Sequence, residues 1–284
     1  MMFPLPSGVD LKGDDEGPVA LPEPEPDLPP DNVMARYDSV VCLDGILSKQ
    51  FSMQNAPGIA AAYEVLQRQR LVASTSCRVR ACFVGSRTKK GLSAYMIALN
   101  HYLRTLFPEI TYESIRISRL GGESVHEMFG PDHEASGASI AVCKDAHDRV
   151  LTAVQSLRVG GDLVVYGAAT DRVTYAISVA ACMFEEAYLV RPTAARINDP
   201  LTLVARRLKP GPIDLAKATH YSLAVALGQI VHNWNQCRVS LAAVAAAVYG
   251  QHERAFAGEA ADIHDRWLAD YTPRRIAERH WLSE

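Results

Sequence analysis

Two hydrophobic periods alternate through the middle of the chain, from about Cys77 to about Leu208. Short apolar or alternating runs typical of strands cover 78–85, 110–118, 137–143, 162–167, 185–192 and 201–208. Stretches with the 3.6-residue period of amphipathic helices lie between them, at 92–107, 146–161 and 171–184. This alternation predicts an α/β domain with a mostly parallel sheet and helices on both faces.

The flanks of this region differ from it and from each other. The first 35 residues are rich in proline and acids and predict a disordered arm, or an extended clamp lying on the domain. A helix is expected from Pro57, capped by Asn55. The Ala-rich residues from 210 onward predict further helices at 213–232, 238–257, 259–270 and 273–282. We therefore divide the chain into an arm (1–35), a Rossmann-like domain (36–209) and a helical extension (210–284).

Composition narrows the function classes. The formal net charge of −3 creates no general attraction to nucleic acid or anionic membrane, so any polyanion would have to bind a local patch. The six cysteines form no C-x-x-C pair, and they and the loop histidines (His126, His133, His147) have no zinc spacing. Without a signal-peptide pattern or an apolar stretch long enough for a bilayer, we expect a cytoplasmic protein with reduced thiols and no metal.

The first strand of the domain ends in a loop suited to a ligand. Gly85 and Ser86 follow the strand, and the loop continues to Gly91, where a helix begins. Glycine permits a tight turn and close approach of a ligand, and a helix N-terminus offers free amides. The full G-x-G-x-x-G pattern is absent, which argues against a dinucleotide site.

Polar residues also follow the later strands. Lys144 and Asp145 follow the strand at 137–143, and Tyr166 ends the strand at 162–167. Arg191, Arg196 and Asp199 lie between the last two strands. Because parallel strands end at one edge of a sheet, these residues are expected to share a cleft that suits an anionic substrate. The alternative for Asp145 is a purely structural role as the N-cap of the next helix.

Three of these segments resemble the FtsJ-like methyltransferases, which transfer a methyl group from S-adenosylmethionine to RNA ribose and include viral cap-methylating enzymes. The resembling stretches are AVCKDAHD, SLRVGGDLVVYG and RPTAARINDPLTLVAR, within about 130 residues. The resemblance implies a Rossmann-like methyltransferase sheet whose last strand is antiparallel. It also implies an RNA (cap) 2′-O-methyltransferase with S-adenosylmethionine as cofactor, working in the cytoplasm, of the host cell if the chain is viral.

The resemblance also implies roles for individual residues. The family's catalytic Lys-Asp-Lys-Glu set falls on Lys49, Asp145, Tyr166 and Asp199, so the second Lys and the Glu are replaced. The cofactor would bind at Gly85, Ser86, Gly91, Glu123 and Asp145. RNA phosphate would be held by Arg191 and Arg196.

The replaced positions keep two other functions open. Tyrosine, with an ordinary pKa of about 10, is a poor base near neutrality. The chain can therefore be a catalytically silent methyltransferase-like module that acts in RNA binding or protein assembly, with the C-terminal helices contacting a protein partner. A third interpretation is a small-molecule Rossmann enzyme, which tight NAD(P) binding would support.

Overall fold

The computed structural model describes residues 2–5, 56–72, 78–85, 90–117, 137–192, 195, 199–211 and 221–249. Its seven strands are β1 (Met2–Pro4), β2 (Arg78–Val84), β3 (Thr111–Ile117), β4 (Ala138–Lys144), β5 (Leu157–Ala168), β6 (Phe184–Val190) and β7 (Leu201–Leu208). Its five helices are α1 (Ala56–Arg68), α2 (Lys90–Leu106), α3 (His147–Ser156), α4 (Tyr175–Met183) and α5 (Tyr221–Tyr249). The prediction of an α/β protein is confirmed.

All seven strands form one mixed sheet in the order β1-β6-β7-β5-β4-β2-β3. The neighbours β3, β2, β4 and β5 pair in parallel. Strand β7 is antiparallel to both β5 and β6, and β1 is antiparallel to β6. Five strands therefore point in one direction, while β7 and β1 point in the other. As predicted, the last strand is antiparallel, and it lies between β5 and β6.

Helices cover both faces of the sheet. Helices α1 and α2 pack on one face, where Phe83 and Val142 meet Leu99 in one buried cluster. Helices α3, α4 and α5 pack on the other face, where Val84 and Cys143 belong to a second cluster. Neighbouring residues of a strand enter different clusters because side chains alternate across a sheet. The core is thus two apolar layers separated by the sheet, as the prediction of helices on both faces requires.

The prediction that a helix covers 146–161 and ends at Gly160 and Gly161 is wrong. Helix α3 stops at Ser156, and Gly160 and Gly161 lie within β5. The pairing of β4 with β5 shifts register here, from Ala138 opposite Leu157 to Ile140 opposite Asp162. A Cβ on Gly161 would lie 3.0 Å from the carbonyl oxygen of Ala138, so glycine permits this close backbone approach.

The expected break between 232 and 238 is also wrong, because α5 runs without interruption from Tyr221 to Tyr249. Trp234 and Asn235 lie within the expected break and are buried against the rest of the protein. Packing of a helix face outweighs the weak helix propensity of asparagine. Leu227 and Trp234 join the same apolar cluster as α3 and α4, so the first part of the predicted extension covers the sheet.

The first described residues of the chain pair with the edge of the sheet. Strand β1 pairs with β6, with Phe3 opposite Leu189, and the amide of Leu5 donates to the carbonyl of Ala187 at 2.8 Å. The Phe3 ring meets the Trp234 indole edge-on, with 6.5 Å between ring centroids. Residues 2–5 therefore lie extended on the domain, while the rest of the predicted arm lies outside the described residues.

No helix in the described parts of the chain combines the length and apolarity needed to cross a membrane.

Candidate functional site

The sheet has a switch point between β2 and β4. After β2 the chain moves to one side to form β3, and it later returns to the other side of β2 to form β4. In open α/β sheets, ligands bind beyond the carboxyl ends of the strands at such a point, because the connections diverge there and leave a crevice. The topology therefore places the candidate site above Val84 and Lys144, the last residues of β2 and β4.

Gly85 turns the chain out of the sheet at this point. Its φ of +141° favours glycine, and its amide donates to the carbonyl of Ile117 at the end of β3, at 2.8 Å. The next described element is α2, which begins at Lys90 and directs its first amides to the same edge. This part of the predicted loop has the backbone geometry expected of a ligand site.

Tyr166, at the carboxyl end of β5, packs its ring against the start of α2. A Cβ on Gly91 would lie 2.7 Å from the Tyr166 ring, so only glycine leaves room for it. The ring also stacks on Tyr95, with centroids 6.0 Å apart and planes 24° apart. Burial raises the pKa of the Tyr166 hydroxyl, and the positive charge of Arg149 opposes this only in part. At neutral pH this hydroxyl is therefore deprotonated even less than that of an exposed tyrosine.

Asp145 links the ends of β4 and β5. Its amide lies 3.3 Å from the carbonyl oxygen of Tyr166, and its Oδ2 accepts a 2.9 Å hydrogen bond from the amide of Ala169. The alternative that Asp145 caps the following helix is wrong, because Ala146 is the N-cap of α3 and no side chain caps it. The carboxylate reaches across the edge of the sheet instead, where it can contact a ligand.

Lys144 precedes Asp145 and lies directly opposite Tyr166 in the pairing of β4 with β5. Its side chain is exposed and extends over Gly167, where a Cβ would lie 3.9 Å from the Lys144 Cε. Gly167 has a φ of +68°, and Pro200, just before β7, is equally close to the same point. Lys144, Gly167 and Pro200 are thus neighbours at the edge of the sheet, and we call this group the notch.

Arg191, at the end of β6, turns toward the protein. Its Nη2 donates to the carbonyl of Ala195 at 2.9 Å, and its guanidinium lies 5.3 Å from the centre of a Trp234 ring. Asp199 is exposed just before β7. The predicted phosphate contact of Arg191 stays a prediction, with the guanidinium already engaged by two protein groups.

The structure brings together Gly85, Gly91, Asp145, Tyr166 and Asp199 at the same edge of the sheet. Four other predicted site residues lie outside the described residues: Lys49, Ser86, Glu123 and Arg196. His147 is exposed at the start of α3, with its ring 4.2 Å from that of Tyr175. Among the described residues, no group of three or more His, Cys, Asp and Glu side chains is arranged to hold a metal ion.

Sequence reasoning assigned no individual role to two residues of this edge: Tyr95, and Lys144, which was expected only as one of the polar residues of the cleft. Tyr95 lies in an amphipathic helix, where an aromatic side chain is normally part of the core, and no local signal marks its contact with Tyr166. Lys144 was visible as a strand-end base.

Neither a family model nor a curated protein matches this chain.

Proposed function

We propose that this protein is an S-adenosylmethionine-dependent RNA 2′-O-methyltransferase of the FtsJ-like kind. The observation that carries the proposal is the position of β7, which is antiparallel and inserted between β5 and β6. A closing antiparallel hairpin fits the Rossmann-like sheet of methyltransferases better than that of dehydrogenases. The switch point beside Gly85 supports the same assignment, because it provides a crevice for a nucleoside at the expected strand end.

The residues at this edge fit the cofactor. Gly85 has no side chain to obstruct a ligand, and its φ of +141° is a conformation that favours glycine. Asp145 presents a carboxylate whose Oδ2 is fixed by the Ala169 amide. We propose that these two residues, with Ser86, Gly91 and Glu123, hold S-adenosylmethionine, which supplies an activated methyl group on a sulfonium.

The protein would accelerate transfer mainly by orienting the two reactants. Asp145 would position the cofactor beside the RNA ribose, and Lys49 and Asp199 would contribute to the hydroxyl site. Arg191 and Arg196 would contact RNA phosphate. Tyr166 would act as a wall of the site and not as a base, because burial raises the pKa of its hydroxyl. We further propose a cytoplasmic location and a protein partner for the C-terminal helices.

A second candidate function is favoured by the packing of Tyr166. At the position where the resemblance requires a lysine, the ring is held between Gly91 and Tyr95. This arrangement also suits a catalytically silent module that binds RNA or assembles with a protein. The two candidates differ in methyl transfer, while either can bind the cofactor.

The first test is calorimetric titration of the whole chain with S-adenosylmethionine and S-adenosylhomocysteine. Micromolar binding is expected for the methyltransferase, and NAD and NADP should give no heat. Labelled S-adenosylmethionine is then incubated with capped RNA, and with the same RNA already 2′-O-methylated as a control. Label on the first RNA alone supports the proposal; binding without transfer favours the silent module, and no cofactor binding overturns the proposal.

The matched variants are Asp145→Asn and Glu109→Gln. Asp145→Asn keeps an oxygen for the Ala169 amide but removes the charge, so cofactor affinity should fall about tenfold, which corresponds to roughly 1.4 kcal/mol. Glu109 is exposed before β3, at the opposite edge of the sheet, and its variant should bind like the wild type. Equal affinity of the Asp145→Asn variant and the wild type would remove Asp145 from the cofactor site.

A further inference from the structure

We infer that Lys144 is a catalytic residue whose ammonium group holds the attacking hydroxyl of the RNA in the notch formed with Gly167 and Pro200. The inference rests on the proposed function and assigns one further residue within it. The resemblance to the methyltransferase family puts a tyrosine, Tyr166, where a lysine is expected. The geometry provides a lysine from the neighbouring strand instead.

The position of Lys144 in the sheet favours this role. It is the last residue of β4, which borders the switch point, and it lies opposite Tyr166 in register. Residues opposite each other on neighbouring strands place their side chains on the same face. The Lys144 side chain therefore starts on the face of α2, beside the position from which the expected lysine would have extended.

The path of the Lys144 side chain also favours this role. Its Cε lies 3.9 Å from the point that a Cβ on Gly167 would occupy, and Pro200 lies at the same distance on the other side. A side chain at 167 would be in contact with both, and the φ of +68° also disfavours any residue with a Cβ. The end of the Lys144 stem therefore lies beside Gly167 and Pro200, at the end of β5.

Two residues next to Lys144 complete its surroundings: Tyr166, which lies opposite it on β5, and Asp145, which follows it in the chain. The Tyr166 ring is stacked on Tyr95 and packed on Gly91, so it forms a wall beside the notch. Asp145 follows Lys144 directly, and its Oδ2 is held by the Ala169 amide. An exposed lysine and an acid whose carboxylate accepts from a backbone amide therefore follow one another at the end of β4.

In the reaction, the ribose 2′-oxygen donates an electron pair to the methyl carbon as the bond from that carbon to sulfur breaks. The electron pair of the broken bond stays on sulfur, which changes from a cationic sulfonium to a neutral thioether, and the hydroxyl proton passes to water. Lys144 donates a hydrogen bond to the 2′-oxygen and fixes its distance and direction. A fixed cation also stabilises negative charge as it develops on this oxygen.

The test compares Lys144→Met, Lys144→Arg and Lys209→Met in labelled methyl transfer to capped RNA at saturating S-adenosylmethionine. The expected result is a kcat about 100-fold lower for Lys144→Met, the order of effect of losing one positioned donor, with S-adenosylhomocysteine affinity within twofold of wild type. Lys144→Arg keeps the charge and should retain several-fold more activity than Lys144→Met. Lys209→Met makes the same change at the opposite edge of the sheet, near the Cys182 carbonyl, and should transfer methyl like the wild type.

Three other outcomes would overturn the inference, and each shows which part of it fails. If the wild type transfers methyl and Lys144→Met keeps its kcat within threefold, Lys144 has no catalytic role although the proposed function stands. If Lys144→Met loses cofactor affinity as much as activity, Lys144 belongs to cofactor binding. A wild-type protein that binds cofactor without transferring methyl overturns the inference together with the proposed enzyme activity.

Discussion

The two edges of the sheet use charged residues in different ways. At the amino edge, where the parallel strands begin, acids are paired with bases from neighbouring strands. Glu113 on β3 accepts from Arg78 and Arg80 on β2 at 2.8 and 3.2 Å, and on the β6–β7 hairpin Glu186 pairs with Arg206 and Arg207. At the carboxyl edge, the carboxylate of Asp145 accepts from a backbone amide, and Lys144 is exposed beside it.

The amino edge also contains a buried acid with a structural role. Asp162 accepts from the amide of Val72 at 2.9 Å and from the amide of Arg207 at 3.1 Å. Both donors have positive φ values, 55° for Val72 and 57° for Arg207, which are unfavourable for residues with a Cβ. One carboxylate therefore holds two positions of unfavourable backbone conformation, one in the turn after α1 and one near the end of β7.

The difference suggests a division of labour between stability and binding. A polar group whose partners lie within the protein stabilises the fold, and a ligand would have to displace those partners to reach it. An exposed cation beside an acid with a fixed orientation can meet a ligand without such a loss. We therefore expect substitutions at the amino edge to change stability most, and substitutions of Lys144 and Asp145 to change binding and transfer most.

The largest effect that would test this comparison is expected for Asp162→Ala. It would leave the buried amides of Val72 and Arg207 without their acceptor, which should lower the free energy of unfolding by about 2–4 kcal/mol. Urea denaturation followed by circular dichroism measures the change. Asp171→Ala, which removes an exposed acid, should stay within about 0.5 kcal/mol of wild type. A loss below about 1 kcal/mol for Asp162→Ala would contradict the proposed structural role.

The next largest change in stability is expected at Gly91, on which the Tyr166 ring packs to form a wall of the candidate site. Gly91→Ala would bring a methyl group to 2.7 Å from the Tyr166 ring and should lower stability by about 1–2 kcal/mol. Gly228→Ala is the matched control, because Gly228 lies in α5 with no atom within 4 Å of its Cβ position, and this variant should gain up to about 1 kcal/mol. In a Tyr166→Ala background the loss from Gly91→Ala should disappear. A loss that persists there would show that the ring does not pack on Gly91.

The smallest expected effect is a difference in pH dependence between two acids of the amino edge, Glu113 and Asp162. Their contributions to stability should change with pH in opposite directions. Hydrogen bonds from Arg78 and Arg80 lower the pKa of Glu113, so its stabilisation is present above the ordinary Glu pKa of about 4.3 and is lost as the pH falls through the lowered value. Burial raises the pKa of Asp162, so its contribution is greatest in acid and declines as the pH rises through the raised value.

Urea denaturation at a series of pH values from acid to neutral measures the direction of both pH dependences. Glu113→Gln should be less stable than wild type at neutral pH and should match it in acid. Asp162→Asn should become less destabilising, relative to wild type, as the pH rises toward neutrality. The same pH trend for both variants would show that burial does not dominate at Asp162.

Local pattern was enough to predict the six strands between Arg78 and Leu208 and the positions at which they end. The strand at 201–208 has the predicted bounds, and the helix predicted at 92–107 begins only two residues earlier. Errors arose where long-range contacts decide the backbone. Gly160 and Gly161 lie in a strand because they allow β5 to approach Ala138, and α5 continues because Trp234 packs on the sheet.

The sequence by itself determined that the protein is α/β and that Gly85, Asp145 and Tyr166 stand at strand ends, because strand and helix periods are local properties of the chain. Only the tertiary structure decided what these residues touch. The Asp145 carboxylate meets the Ala169 amide, the Tyr166 ring fills the space above Gly91, and Lys144 crosses Gly167. Each contact joins different strands or helices, and the order of strands in the sheet, which brings them together, is not encoded in any single local pattern.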